Sequence, residues 1–172
     1  MHMQSFLEEL YEMHAKTVYW AAYSVSRDSE SAKDAVQNVF LSALRHTETL
    51  KILSAEQQHA WLYRAGVNSS IDILRRNKRS IPVEDAGYME ADPAYGPQAL
   101  LERSETSTEV QKAVAALPKK YREPIMLYYF AELDYKKIAA LLQMNEGTLK
   151  SRMSRGRELI KKQLQKGGGL YA

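Results

Sequence analysis

The stretch 134–163, DYKKIAALLQMNEGTLKSRMSRGRELIKKQ, decides how the rest of the chain is read. Its first part places Tyr135, Ile138, Ala139 and Leu142 at i, i+3, i+4 and i+7, an apolar stripe of helical period. Asn145 stands where an N-cap belongs, and Glu146 follows in the first turn, where the helix dipole favours an acid. A second helix then repeats apolar or small residues at Leu149, Met153, Gly156, Ile160 and Leu164. At about 100° per residue, Lys150, Ser151, Ser154 and Arg155 fall on the opposite, solvent-facing side. Two cations and two small hydroxyls near a helix N-terminus suit a DNA major groove: arginine bridges guanine acceptors, while lysine and serine hold phosphates. A solvated basic helix in a bundle is the competing reading. The preceding helix, the short turn and the small exposed residues favour a helix-turn-helix.

Working outward, 172 residues with 45% apolar content suffice for one domain, or two small ones, with buried cores. No apolar run approaches the roughly 18 residues of a bilayer span, and no signal-peptide pattern opens the chain. A soluble, cytoplasmic protein is expected. With no cysteine, disulfides and thiolate metal sites are excluded. His2, His14, His46 and His59 show no metal-ligand spacing with acids, so no metal or other cofactor is expected. His14 falls in an apolar stripe and reads as a core residue; His2, in the opening MHMQ, is also readable as an added residue.

The net charge of +3 is small, but its distribution is informative. Up to Ser80, ten Lys/Arg face nine Asp/Glu; from 81 to 108, six acids face only Arg103; from Glu109 onward, thirteen bases face six acids. The positive excess therefore sits in the last third, an electrostatic footprint for nucleic acid.

In chain order, residues 5–25 carry a helical stripe that Arg27-Asp28-Ser29 breaks. A second helix runs from about Ser29 to His46, with Ala32, Ala35, Val36, Val39, Phe40, Ala43 and Leu44 as its buried face and Asp34, Gln37, Asn38 and Leu41 opposite. Residues 47–53 read as a connection. Ser54 and Gln57 form a capping box that opens a long helix ending in Arg75, Arg76, Lys78 and Arg79. That helix also carries Tyr63, Arg64, Asn68 and Asp72, aromatic, basic and amide groups of the kind that stack on and hydrogen-bond unpaired bases. Residues 80–107 lose periodicity, and their prolines, glycines and acids read as a flexible linker spanning about 30 Å as a coil. A second domain starts near Glu109, with Pro124 expected in a first helical turn, where its missing N–H is harmless. Gly167-Gly168-Gly169 reads as a flexible end. The expected fold is all-α: domains 1–79 and 109–172 joined by linker 80–108, the second domain a helix-turn-helix.

Three blocks resemble the extracytoplasmic-function group of bacterial RNA polymerase sigma factors, in the sigma-70 family: DAVQNVFLSAL (34–44), WLYRAGVNSSIDILRR (61–76) and the stretch from Leu117 to Ile160. The first two together are more specific than the last, which also fits a stand-alone helix-turn-helix regulator, the alternative function. The resemblance implies a non-enzymatic promoter-specificity subunit. It places Asp34, Gln37, Asn38, Phe40 and Leu41 against the β′ clamp helices of core polymerase, Phe40 partly as a support. It places Tyr63, Arg64, Asn68, Asp72, Arg75 and Arg76 at the −10 element, and Thr148, Lys150, Ser151, Arg152, Ser154 and Arg155 at the −35 element. Rotation puts Arg152 nearer the core edge, suited to phosphate. Further implied partners are the β flap, promoter DNA and an anti-sigma factor, with no small-molecule substrate. Three departures stand out: LKILSAEQQHA (50–60) lacks the aromatic and glycine pattern of relatives, Gln143 replaces a turn glycine, and Tyr128 replaces an arginine that some relatives set against DNA.

Overall fold

The computed structural model describes residues 3–77, 92–96 and 105–166, and no strand occurs among them. The fold is all-α. The chain divides into two compact units, 1–87 and 88–172. His2, Lys78, Arg79, the Gly167–Gly169 run and most of the acidic linker lie outside the described residues; inside it, Pro93–Tyr95 forms one 3-10 turn, with Asp92 Oδ1 accepting from the Ala94 N–H at 2.9 Å.

The first unit contains α1 (Met3–Ser26), α2 (Ser29–Arg45), α3 (Thr47–Lys51) and α4 (Ala55–Asn77), and α1, α2 and α4 pack pairwise. Arg27 ends α1 at φ 55°, and Asp28 caps α2 by accepting from the Ser31 N–H and Oγ at 3.2 and 2.6 Å. Val18, Tyr19, Trp20, Tyr23 and Leu62 are fully buried, and Ala21, Ala22, Ala32, Ala35 and Ala43 let the helices approach around those rings. Gly66 lets α4 cross α1 closely: a Cβ there would lie 3.2 Å from both Val18 Cγ1 and Val18 O, a tight contact. His14 is buried and stacks on His59 at 4.9 Å between ring centroids. The expected capping box forms: the Ser54 N–H donates to Gln57 Oε1 at 3.0 Å and the Gln57 N–H to Ser54 Oγ at 3.2 Å.

The connection at 47–53 is in part a helix, α3, which five residues without an apolar period could not announce. Tertiary burial holds it. Leu50 is fully buried, and Thr47 Oγ1 donates to Leu44 O at 2.8 Å. Ala43 and Val39 lie in the core as expected, whereas Leu44 is exposed and Phe40 half-buried.

The second unit contains α5 (Glu105–Ala115), α6 (Lys119–Tyr129), α7 (Tyr135–Leu142) and α8 (Glu146–Lys166), with α8 packed on the other three. Helix α5 begins within the expected linker, because its polar first turn carries no apolar period. Pro124 is the sixth residue of α6, not a first-turn residue. Pro118 takes the N-cap position and accepts from the Tyr121 and Arg122 N–H groups, so Pro124 sits inside the helix and forfeits one hydrogen bond. Its ring is buried beside Ile125, Met126 and Leu127, which offsets that loss. The buried Arg122 donates from Nη1 to Leu117 O at 2.6 Å and closes the α5–α6 turn.

Candidate nucleic-acid interface

The turn between α7 and α8 is built from local chemistry. Asp134 caps α7 by accepting from the Lys137 N–H at 2.8 Å. Gln143 ends the helix at φ 55°, ψ 48°, the left-handed conformation usually left to glycine, and the Met144 N–H returns to Ala139 O at 3.0 Å. Such a non-glycine residue is strained by about 1–2 kcal/mol. Asn145 then caps α8, accepting from the Thr148 N–H at 2.7 Å.

Leu149, Met153 and Gly156 bury the inner stripe of α8, while Ile160 and Leu164 are half-buried near its end. Thr148, Lys150, Ser151, Ser154 and Arg155 are exposed, and Arg152 is half-buried at the core edge. Arg155 Nη1 donates to Glu158 Oε2 at 2.9 Å, and Lys162 Nζ stands 3.9 Å from Glu158 Oε1. That hydrogen bond raises the Arg155 pKa and lowers that of Glu158. In the free protein, therefore, one guanidinium of the candidate DNA face is already held by an acid.

On α4, Arg64, Asn68, Asp72, Arg75 and Arg76 are all exposed. Their spacing puts them within about 120° of one another around the helix, so they form a single stripe. Tyr63 does not join them. It is 6% exposed and packs into the core, because it lies roughly 100° away on the buried side. On α2, Asp34, Gln37, Asn38 and Leu41 are exposed, and Asn38 Nδ2 donates to Ser69 Oγ of α4 at 3.3 Å. Phe40 meets the Tyr11 ring edge-on at 5.0 Å. Leu41 and Leu44 are about half exposed, and Tyr11 is exposed beside Phe40, so this face is more apolar than its polar spacing alone suggests.

Two features escaped the sequence reading. Arg157 Nε donates to the Tyr129 hydroxyl at 2.7 Å and Nη2 to the Tyr135 hydroxyl at 3.0 Å. These bonds, the one to Tyr129 foremost, raise its pKa. Tyr128 meets Tyr129 and Tyr135 edge-on, at 4.9 and 5.1 Å between centroids, which places it in this cluster. The second feature is an apolar groove of about 260 Å³ among Val110, Val114, Ile125, Phe130 and Ile160, with Arg157 at its lining. Four tyrosines within fifteen residues (121, 128, 129 and 135) were the available signal for the cluster.

The molecule is thus a two-unit helical protein whose second unit is a helix-turn-helix with a basic outer face. Residues 10–80 match the family model for sigma-70 region 2, and residues 107–160 match that for sigma-70 region 4. The chain is 33% identical over 152 residues to the ECF RNA polymerase sigma factor SigM of Mycobacterium tuberculosis, covering 87% of this chain and 72% of the relative. It is 28% identical to SigM of Bacillus subtilis over 157 residues, 90% of this chain and 93% of the relative. Among solved structures it superposes on the sigma factor RpoE in complex with the anti-sigma factor NepR from Bartonella quintana, with TM-score 0.66, 25% identity and coverage of 94% and 98%. The fold also matches CnrH in complex with the cytosolic domain of CnrY, with TM-score 0.61, 20% identity and coverage of 94% and 89%. The chain belongs to the extracytoplasmic-function sigma factors of the sigma-70 family. It is a non-enzymatic transcription initiation factor that works with core RNA polymerase on promoter DNA.

Proposed function

We propose that residues 1–79 bind core polymerase and read the −10 element, that residues 109–172 read the −35 element, and that residues 80–108 tether the two. The observation that carries this reading is the outer face of α8. Lys150, Ser151, Ser154 and Arg155 stand free of the core in the first half of a helix whose opposite stripe is buried, which leaves them open to a major groove. Thr148 joins them at the helix N-terminus, and Arg152 takes a phosphate at the edge. On α4, Arg64, Arg75 and Arg76 hold backbone phosphates, while Asn68 and Asp72 face the edge of a flipped base. Tyr63 supports that stripe from the core. On α2, Leu41, Gln37 and Asp34 meet the β′ clamp helices, Phe40 backs them, and Asn38 ties the face to α4.

The apolar groove of the second unit suits an apolar helix of the β flap. The RpoE relative is in complex with the anti-sigma factor NepR, and we assign an anti-sigma partner to this chain by that likeness. No helix among the described residues is long and apolar enough to cross a membrane, and the proposed site of action is the cytoplasm, where core polymerase works. Few phosphate contacts support only weak binding at physiological salt, so the isolated chain should bind promoter duplex poorly and gain specificity with core polymerase. A gel shift compares the two. Tight, sequence-specific binding by the chain alone would contradict this account.

A further inference from the structure

We infer that Arg157 is a positioning residue for −35 recognition: it fixes the roll of α8 through the Tyr129 and Tyr135 hydroxyls and makes no DNA contact of its own. The inference rests on the reading of α8 as the −35 helix.

The buried Leu149, Met153 and Gly156, with the half-buried Ile160 and Leu164, set how deeply α8 sits; their stripe spans only about 80° around the helix, so it constrains depth more than roll. Arg157 lies about 60° from the centre of that stripe. There its planar fork reaches two separate elements at once, the last residue of α6 and the first residue of α7. A rigid bidentate donor loses little freedom per bond formed. Its acceptors are themselves held, since Tyr128 packs edge-on against both rings and the Arg157 guanidinium lies over Tyr129 at 5.6 Å. The clamp therefore ties the α6–α7 corner to the flank of the recognition helix.

The consequence falls on the far side of α8. Helix and side chains together have a radius of about 5–6 Å, so a roll of only 10° moves Ser151, Ser154 and Arg155 by about 1 Å. Productive contacts tolerate about 0.5 Å. Loss of the clamp should blur base reading while leaving the unit folded, because Leu149, Met153 and the α5–α6 core do not depend on it.

The test uses the full chain assembled with core polymerase and a promoter library randomised first at the upstream box and then at the downstream box. The variants are Arg157→Met, Arg157→Lys and the double change Tyr129→Phe with Tyr135→Phe, which removes the acceptors but keeps both rings. Expected is an upstream-box selectivity reduced about three- to tenfold in all three, the scale of losing a charge-assisted hydrogen bond at a partly exposed site, with downstream-box selectivity within about twofold of wild type. Arg157→Met placed on the double-Phe background should add nothing further. Wild-type upstream selectivity in the double-Phe protein would overturn the inference. So would full rescue by Arg157→Lys, since that outcome assigns Arg157 to a phosphate. Equal loss at both boxes with a lowered melting temperature would reduce the clamp to a folding contact. If the wild type selects nothing at the upstream box, the −35 reading of α8 itself fails, and the inference with it.

Discussion

Gly156 of α8 lies directly against Ile125 of α6: a Cβ built on the glycine comes 3.1 Å from Ile125 Cγ1 and 3.3 Å from Cδ1. Ile125 is 1% exposed and also borders the apolar groove of the second unit. In Gly156→Ala, the gain in helix propensity of about 1 kcal/mol is set against that contact and the net change should be small. Gly156→Val adds two more carbons and should destabilise the second unit by about 1–3 kcal/mol. Thermal unfolding measures both, and a valine variant as stable as wild type would show that the two helices can separate freely.

Asn68 is exposed on the α4 stripe, where the proposed reading sets it against a flipped base. Asn68→Ala should leave the melting temperature unchanged, since exposed substitutions typically stay within about 0.5 kcal/mol. Open-complex formation should weaken by about 1–3 kcal/mol, the scale of one bidentate base contact. Permanganate footprinting at matched DNA occupancy reads the difference; normal strand opening would remove Asn68 from the proposed base pocket.

Leu41 is 49% exposed next to the half-exposed Leu44, in a face with Asp34, Gln37, Asn38 and the half-buried Phe40. Burying a leucine contributes about 1.5–3 kcal/mol. Leu41→Glu should therefore lower affinity for core polymerase by roughly tenfold or more with no change in unfolding. Competition binding against wild type measures the loss. Unchanged affinity would place the polymerase contact on another face.

On the proposed reading of α8, Glu158, which accepts from Arg155 at 2.9 Å, competes with DNA for that guanidinium. Glu158→Gln should raise sequence-independent DNA binding by the holoenzyme and steepen its salt dependence by at most about one released counterion. Because Arg155 holds the Glu158 carboxyl below its ordinary range, the acid is ionised across neutral pH. The effect of the substitution should accordingly stay constant there. A titration in which Glu158→Gln binds DNA no better than wild type would leave the pair without a role in recognition.

Much of the architecture was legible because its signals are local. The α8 stripe, the Asn145 cap, the Ser54–Gln57 box and the exposure of Lys150, Ser151, Ser154 and Arg155 follow from period and capping chemistry alone. The exceptions depended on contacts between elements. Helix α3 is held by the burial of Leu50 and could not be seen in residues 47–51. Pro124 suits a first turn by its own chemistry, but Pro118, six residues upstream, takes the N-cap and starts the helix there. Tyr63 has the right chemistry for stacking on bases, but rotation turns it inward while Arg64 and Asn68 face out. Arg157 shares a helix with five other exposed cations, and what sets it apart is a pair of phenols more than twenty residues away.

The central claim is tested most directly by transcription in vitro with core polymerase, this chain and a library of genomic fragments, followed by mapping of the 5′ ends. The account predicts start sites that require the chain, share two sequence boxes at a fixed separation, and lose the upstream box preference when Lys150, Ser151, Ser154 and Arg155 are all replaced by alanine. Start sites independent of the chain, or chain-dependent transcription with no shared downstream box, would contradict it.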